Sequence, residues 1–150
     1  MTLKIGVEMK LWLIYALLSA ICAAFVSIFG KIGLENFDAN AATAIRAIIM
    51  AIFLSGVVIF QGNFSSVEEI FFNGRALFFI ACSGIAGAMS WLFYFLALKV
   101  GKISQIAPID KLSVVFAVIF SMIFFGEKVT FIHGVGIFFI ALGGLIIAAF

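Results

Sequence analysis

Residues 104–128 read SQIAPIDKLSVVFAVIFSMIFFGEK, and this stretch indicates a membrane-spanning fold. No charged residue lies between Lys111 and Glu127, so the run is long and apolar enough to lie in hydrocarbon. Asp110 and Lys111 nevertheless lie just inside its start, and Asp110 follows Pro108, the only proline of the chain, by two positions. A charge at the bilayer centre costs about 2.5–3.5 kcal/mol on insertion scales, so these charges are candidates for a functional site.

Pro108 adds a second disturbance to the same helical turn. It has no N–H to donate, and its ring clashes with the carbonyl of Ser104. A carbonyl freed in lipid needs a neighbouring helix, a polar side chain or water. Two readings remain open: Asp110 and Lys111 line a wet, protein-walled pocket, or they anchor the helix at headgroup level. The nearby proline favours the pocket.

The composition excludes a water-soluble fold. Of the 150 residues, 66% are hydrophobic and 11% are charged, whereas soluble domains carry roughly 25% charge. We therefore predict an all-α integral membrane protein whose surroundings are the lipid bilayer. The net charge of +2 is small and scattered, and no basic run interleaved with aromatic residues points to nucleic acid.

Catalytic and cofactor motifs are absent from the sequence. Cys22 and Cys82 lie within apolar runs and lack metal-ligand spacing. The chain has one histidine, no phosphate-binding loop and no Ser/His constellation. We expect no enzyme activity, no metal and no cofactor.

Five apolar runs have about the 20-residue length that a membrane helix needs. Their short connections make consecutive helices antiparallel neighbours, and we predict a single transmembrane domain over residues 1–150. The predicted spans are about residues 11–30, 41–60, 76–98, 103–125 and 131–149.

A short helix at the membrane interface is predicted between the second and third spans. Ser66 and Glu69 match a capping box, with Ser66 as the N-cap. Asn73 and Gly74 are the residue types that end a helix in a left-handed conformation.

Small and polar residues mark the helix faces that we expect to meet around one cavity. On the third span Ser90 and Tyr94 share such a face, and Trp91 lies deep enough to line the same cavity. Arg46 lies about one and a half turns into the second span, where it either lines the pocket or extends its stem to the interface. Lys31 either joins the pocket or ends the first helix.

The last span is a candidate contact between subunits. Gly144 and Ala148 have the small-xxx-small spacing that lets membrane helices approach closely, and Gly143 lies beside them. Packing within one chain is the alternative. Glu127 follows Gly126 at the end of the fourth span, where we expect it to fix the turn.

The flanking charges do not choose an orientation. With the N-terminus inside, four Lys and Arg residues lie inside and three or five outside, depending on whether Arg46 and Lys111 count. A chain with no clear orientation preference and an odd number of spans is typical of one half of an inverted-repeat transporter, whose site lies between the halves.

Several short motifs, in this order, resemble the drug/metabolite transporter superfamily of the EamA type. Full-length relatives have ten helices in two inverted halves, so the resemblance implies a half-length member that works as a homodimer, possibly antiparallel, or with a paired homologous subunit. It also implies export or exchange of small metabolites. The motifs are FGKIGLE at 29–35, TAIRA at 43–47, YFLALK at 94–99, APIDK at 107–111, FGEK at 125–128 and the Gly143-Gly144 pair.

This sequence departs from relatives of that superfamily in two ways. It has no second half, and the apolar core of its first span has no acidic residue, unlike the small multidrug transporters. The membrane charges Arg46, Lys111 and Lys31 outweigh Asp110, which favours an anionic or zwitterionic solute over a cationic drug.

The sequence thus predicts a secondary active transporter of the inner cell membrane, working by alternating access. Asp110 and Lys111 bind solute or titrate, Arg46 supplies positive potential, and Ser90, Trp91 and Tyr94 shape the cavity. The alternative is a membrane subunit that partners a homologous transporter and moves nothing itself.

Overall fold

The computed structural model describes the backbone of residues 2–149 and the side chains of residues 11–149. This part of the chain consists of helices joined by short turns and contains no strand. The helices are α1 (Thr2–Gly33), α2 (Ala39–Gln61), α3 (Phe64–Phe72), α4 (Gly74–Val100), α5 (Ile103–Asp110), α6 (Leu112–Phe125) and α7 (Phe131–Ala149).

Five helical segments are long and apolar enough to cross a membrane, which confirms the predicted all-α membrane class. The shortest has 19 residues, or about 28 Å at 1.5 Å per residue, close to the thickness of the hydrocarbon core. The segments are Leu11–Gly33, Ala39–Gln61, Gly74–Val100, Ile103–Phe125 and Phe131–Ala149.

The chain forms two compact units, and residues 33–100 make up one of them. Here α2 and α4 pack against each other, and α3 packs on α4. Asp38 caps α2, since its carboxylate accepts hydrogen bonds from the N–H groups of Asn40 and Ala41 at 2.9 and 3.0 Å. Helix α2 ends at Gly62, whose φ of 68° is a left-handed conformation that glycine adopts without strain.

The short helix predicted between the second and third spans exists as α3, and it ends before Asn73 as predicted, but its predicted start at Ser66 and its predicted left-handed end are wrong. The helix begins directly after the Gly62 turn, so Ser66 lies in its first turn and donates to Asn63, the actual N-cap residue, at 3.2 Å. Asn73 is extended, with φ −93°, rather than left-handed. Its side chain accepts from the N–H of Ala76 at 3.1 Å, so Asn73 starts α4 rather than only stopping α3.

The other unit comprises residues 1–32 and 101–150. Its main feature is a break in the fourth span, where α5 ends at Asp110 and α6 starts at Leu112. Across the break Lys111 N–H donates to the Pro108 carbonyl at 3.2 Å, and Val114 N–H donates to the Lys111 carbonyl at 3.1 Å. These bonds to the third preceding residue tighten the chain into a 3₁₀-like turn.

Helix α7 packs against both halves of the broken span. Gly144 is buried at this contact. A Cβ atom at position 144 would lie 3.3 Å from the Pro108 carbonyl oxygen and 3.3 Å from Leu112 Cδ2. The absence of a side chain at Gly144 therefore allows α7 to approach the break closely.

Candidate functional site

Arg46 forms the most distinctive side-chain contact in the unit of residues 33–100. Its guanidinium carbon lies 3.7 Å from the ring centroid of Trp91 and 5.4 Å from that of Phe95. Both rings belong to α4, where Trp91 and Phe95 are one turn apart and therefore share a face. Phe95 is only 3% exposed, so it is the buried ring of this aromatic cluster.

Tyr94 completes the cluster. Its ring meets Trp91 edge to face, with centroids 5.7 Å apart and planes at 79°, and it lies edge-on to Phe95 at 6.4 Å. Such edge contacts hold each ring in a fixed orientation. Ser90, predicted beside Trp91 and Tyr94, is exposed on α4. The structure thus brings Arg46, Trp91 and Tyr94 together, with Ser90 adjacent in sequence.

The depth of this cluster can be measured from the end of α4. The ammonium of Lys99 donates to the Phe37 carbonyl and joins the end of α4 to the segment before α2. Trp91 precedes Lys99 by eight helical positions, or about 12 Å. Because the guanidinium lies over Trp91, Arg46 extends sideways to α4 rather than along α2 to the end of the span. This geometry favours the pocket reading over snorkelling.

The contact with the rings offsets only part of the free-energy cost of placing the Arg46 cation in the membrane. A cation at membrane depth costs about 2.5–3.5 kcal/mol, whereas a cation–π contact contributes about 0.5–2 kcal/mol. Among the residues whose side chains the structure describes, none forms a hydrogen bond or an ion pair with Arg46. The rings stabilise the cation only in part, and the guanidinium N–H groups remain available to a further partner.

Asp110 and Lys111 form an ion pair in the other unit, with Lys111 Nζ 3.2 Å from Asp110 Oδ2. The exposed fractions of the Lys111 and Asp110 side chains are 56% and 36%. Helix α5 has eight residues before the break, or about 12 Å, and α6 continues for about 21 Å. The pair therefore lies about a third of the way along the span. Pairing reduces the cost of both charges at that depth.

The break also exposes polar backbone. Pro108 has no N–H, so the carbonyl of Ser104 lacks its helical donor, and the turn at Lys111 interrupts the regular ladder. Interrupted backbone at membrane depth is tolerated where it is buried in protein or lines a water-filled cavity. Two charged side chains and freed backbone groups thus occur at one level of the fourth span.

Lys31 binds a backbone carbonyl of its own compact unit. It lies in the last turn of α1, and its ammonium donates to the Gly101 carbonyl at 2.8 Å. A lysine in a last helical turn also stabilises the negative end of the helix dipole. These contacts fit the reading in which Lys31 ends the first helix.

A groove of about 440 Å³ lies between the end of α6 and the start of α7. Glu127, Lys128 and His133 are among its polar lining residues, and Val118 and Ile140 are among its apolar ones. Glu127 also stabilises the end of α6 through its backbone, since its N–H donates to the Ser121 carbonyl at 3.4 Å.

The candidate contact residues of α7 differ in their surroundings. Gly144 packs within its own chain, as described above. A Cβ atom at Gly143 would meet nothing within 4 Å, and Ala148 is exposed. Within residues 11–149 there is no group of three or more His, Cys, Asp or Glu side chains placed to hold a metal ion.

Sequence reasoning missed two residues of the Arg46 site. Phe95 figures in the sequence reasoning only as part of the YFLALK motif, and the signal of its role is its position one turn after Trp91. Lys99 enters the sequence analysis only as the last residue of that motif and as a flanking charge. Its contact with the Phe37 carbonyl depends on the register of α2 against α4, which no local pattern encodes.

Five helices long and apolar enough to cross a membrane define a multi-pass membrane protein. Comparison with known proteins gives its family. The profile of the EamA-like transporter family matches residues 10–149, so the chain belongs to this family of transporters, which confirms the resemblance seen in the sequence. A Sinorhizobium protein named "Uncharacterized transporter in cobO 3'region" is 40% identical over 139 residues, covering 93% of this chain and 97% of that relative. No solved structure matches the chain.

Proposed function

We propose that this protein is a secondary active transporter that exports or exchanges small metabolites across the inner cell membrane by alternating access. The observation that carries the proposal is the break at Lys111, with an ion pair about 12 Å from the start of α5. A charged, interrupted helix at that depth requires water or protein around it. Discontinuous helices of this kind are typical of solute and ion sites in secondary transporters.

The proposed route gives each charge a task. Asp110 and Lys111 bind the solute or exchange a proton during coupling. Their carboxylate and ammonium lie 3.2 Å apart, and a charged group of the solute can replace either partner of this ion pair. Arg46 supplies positive potential, and the ring cluster shapes the cavity. The turn at Lys111 allows α5 and α6 to change their mutual angle without breaking a continuous helical ladder.

The active species in this proposal is a dimer. Lys111 and Ser90 are exposed and Asp110 is partly exposed, and charges do not face acyl chains without a large cost. A second copy in the opposite orientation, or a homologous subunit, would cover them and complete the inverted-repeat arrangement. The balanced Lys and Arg distribution supports insertion in both orientations.

Reconstituted protein tests the proposal through a solute screen in proteoliposomes, with and without a pH gradient. We expect Asp110→Asn and Lys111→Met to lower the initial transport rate at least about tenfold, since each removes one partner of the pair. Lys128→Met, the same substitution outside the spans, is the matched control and should transport as the wild type does.

Two outcomes would contradict the proposal. Wild-type rates from both Asp110→Asn and Lys111→Met would remove the pair from the mechanism. If no solute moved, and pull-down recovered a homologous multi-pass protein, the chain would be a non-transporting subunit.

A further inference from the structure

We propose that Arg46 is the group that binds a carboxylate of the transported solute, and that Trp91 holds its guanidinium in place for this purpose. The proposal rests on the transport function above and narrows its substrate class to small monocarboxylates with an apolar or aromatic body. It assigns Arg46 direct contact with the solute, beyond a general contribution to the potential.

The stacking geometry leaves the binding edge of Arg46 free. The guanidinium carbon lies over the Trp91 ring, 3.7 Å from its centroid, which is close enough for the planar group to stack on the ring. Its N–H donors lie in the guanidinium plane and point outward. Within the described side chains, none accepts from these donors. Two parallel N–H groups at this edge match the two oxygens of a carboxylate.

The charge of the cluster favours a monoanion. Trp91 and Phe95 have no ionisable group, so the charge at their ring faces is the positive charge of Arg46. One carboxylate neutralises it. A phosphate dianion would leave excess negative charge at membrane depth, and a cationic solute would be repelled.

The rings determine what the rest of the solute contacts. Trp91 lies directly beneath the guanidinium and meets Tyr94 edge to face. A solute carboxylate at the edge of Arg46 therefore places the neighbouring carbon atoms beside aromatic carbon. Apolar or aromatic bodies gain contact there, whereas strongly hydrated bodies would lose water.

Trp91 itself reports on occupancy of the site. The chain has two tryptophans, Trp12 and Trp91, so Trp12→Phe leaves Trp91 as the only tryptophan. In a neutral detergent, the purified full chain is titrated with hexanoate and phenylacetate and followed by tryptophan emission. Matched probes are hexanamide, phenylacetamide, hexylammonium and hexyl phosphate. We expect saturable changes with both carboxylates and binding at least about tenfold weaker for every matched probe.

Substitution of Arg46 separates direct binding from positive potential. Arg46→Lys keeps the charge but loses the planar fork, so carboxylate affinity should fall at least about tenfold. Arg46→Met should abolish the emission change. Gel filtration and helical circular dichroism check that each variant folds. If Arg46→Lys does not fold, the difference between carboxylate and amide in the Arg46 protein still decides the question.

The results can also separate this site from the transport proposal. Saturable carboxylate binding that depends on Arg46, without movement of any solute in liposomes, would support the site and overturn transport. Solute movement together with equal emission responses to carboxylate and amide would overturn the site and leave transport standing. Wild-type carboxylate affinity in Arg46→Lys would likewise overturn the site.

Discussion

The two charged clusters are stabilised in different ways, residue by residue. Lys111 meets a carboxylate, so the pair with Asp110 adds no net charge to the span. Arg46 meets ring faces, so its positive charge persists. Removal of one member of the pair leaves an uncompensated ion, whereas removal of Arg46 eliminates one.

This difference predicts non-additive effects at the pair. Asp110→Asn and Lys111→Met should each lower the free energy of unfolding in detergent by about 1–3 kcal/mol, because each leaves one ion unpaired. The double variant should be closer to the wild type than the sum of the two losses. Thermal unfolding of the four proteins gives the coupling energy directly.

Lys128→Met again serves as the control, combined with Asp110→Asn. Effects of Asp110→Asn and Lys111→Met that simply add would mean that the two charges are separately solvated. They would then anchor the helix at headgroup level, and the pocket reading would be wrong.

The helices could be predicted from the sequence, but the contacts between them could not. Apolar runs of about 20 residues identified all five spans because lipid imposes that length on any helix that crosses it. Sequence reasoning also selected Arg46, Trp91 and Tyr94 individually. It did not pair Arg46 with Trp91, because that contact depends on how far α2 is shifted along α4.

The position of the break in the fourth span also depends on a tertiary contact that the local sequence does not predict. Pro108 predicts a local disturbance one turn before it, at Ser104. The helix instead continues to Asp110, and the interruption follows at Lys111. Helix α7 packs there, with Gly144 against the Pro108 carbonyl. This tertiary contact lies 36 positions away in the sequence, so the proline alone could not predict it.

Adjacent glycines of α7 provide a matched test of that contact. Gly144→Val should lower the free energy of unfolding by about 1–3 kcal/mol, because a rigid carbonyl lies 3.3 Å from the new Cβ and only the Leu112 side chain can move aside. Gly143→Val should cost less, since nothing lies within 4 Å of a Cβ there. Thermal unfolding in detergent compares the two variants.

A third variant identifies the cause of the Gly144 effect. Leu112→Ala combined with Gly144→Val should recover part of the lost stability, because one of the two close contacts is removed. Equal costs at positions 143 and 144 would contradict the packing of α7 on the break and would favour a contact with another subunit through both glycines.

For the whole molecule, the apolar surface far exceeds the buried core. Within the described side chains, only Leu34, Ala39, Phe95 and Leu98 are buried hydrophobic residues. Lipid covers exposed apolar side chains without cost, because acyl chains are equally apolar. It does not cover Ser90 or the Asp110–Lys111 pair in the same way, and this uncovered polar surface supports the dimer in the proposed function.

An antiparallel dimer predicts that the chain inserts in both orientations. Cytoplasmic and periplasmic reporters fused after Phe150 should both be active, with signals within about threefold of each other, since the flanking Lys and Arg counts are nearly balanced. Two lysines added at either end should shift the population toward one orientation, because positive flanks are retained inside. Two glutamines at the same positions are the control.

Each lysine variant alone should lose transport, and coexpression of two oppositely fixed variants should restore it. A single active reporter in the unmodified chain, with full transport, would mean that the two copies are parallel or that a different subunit supplies the second half.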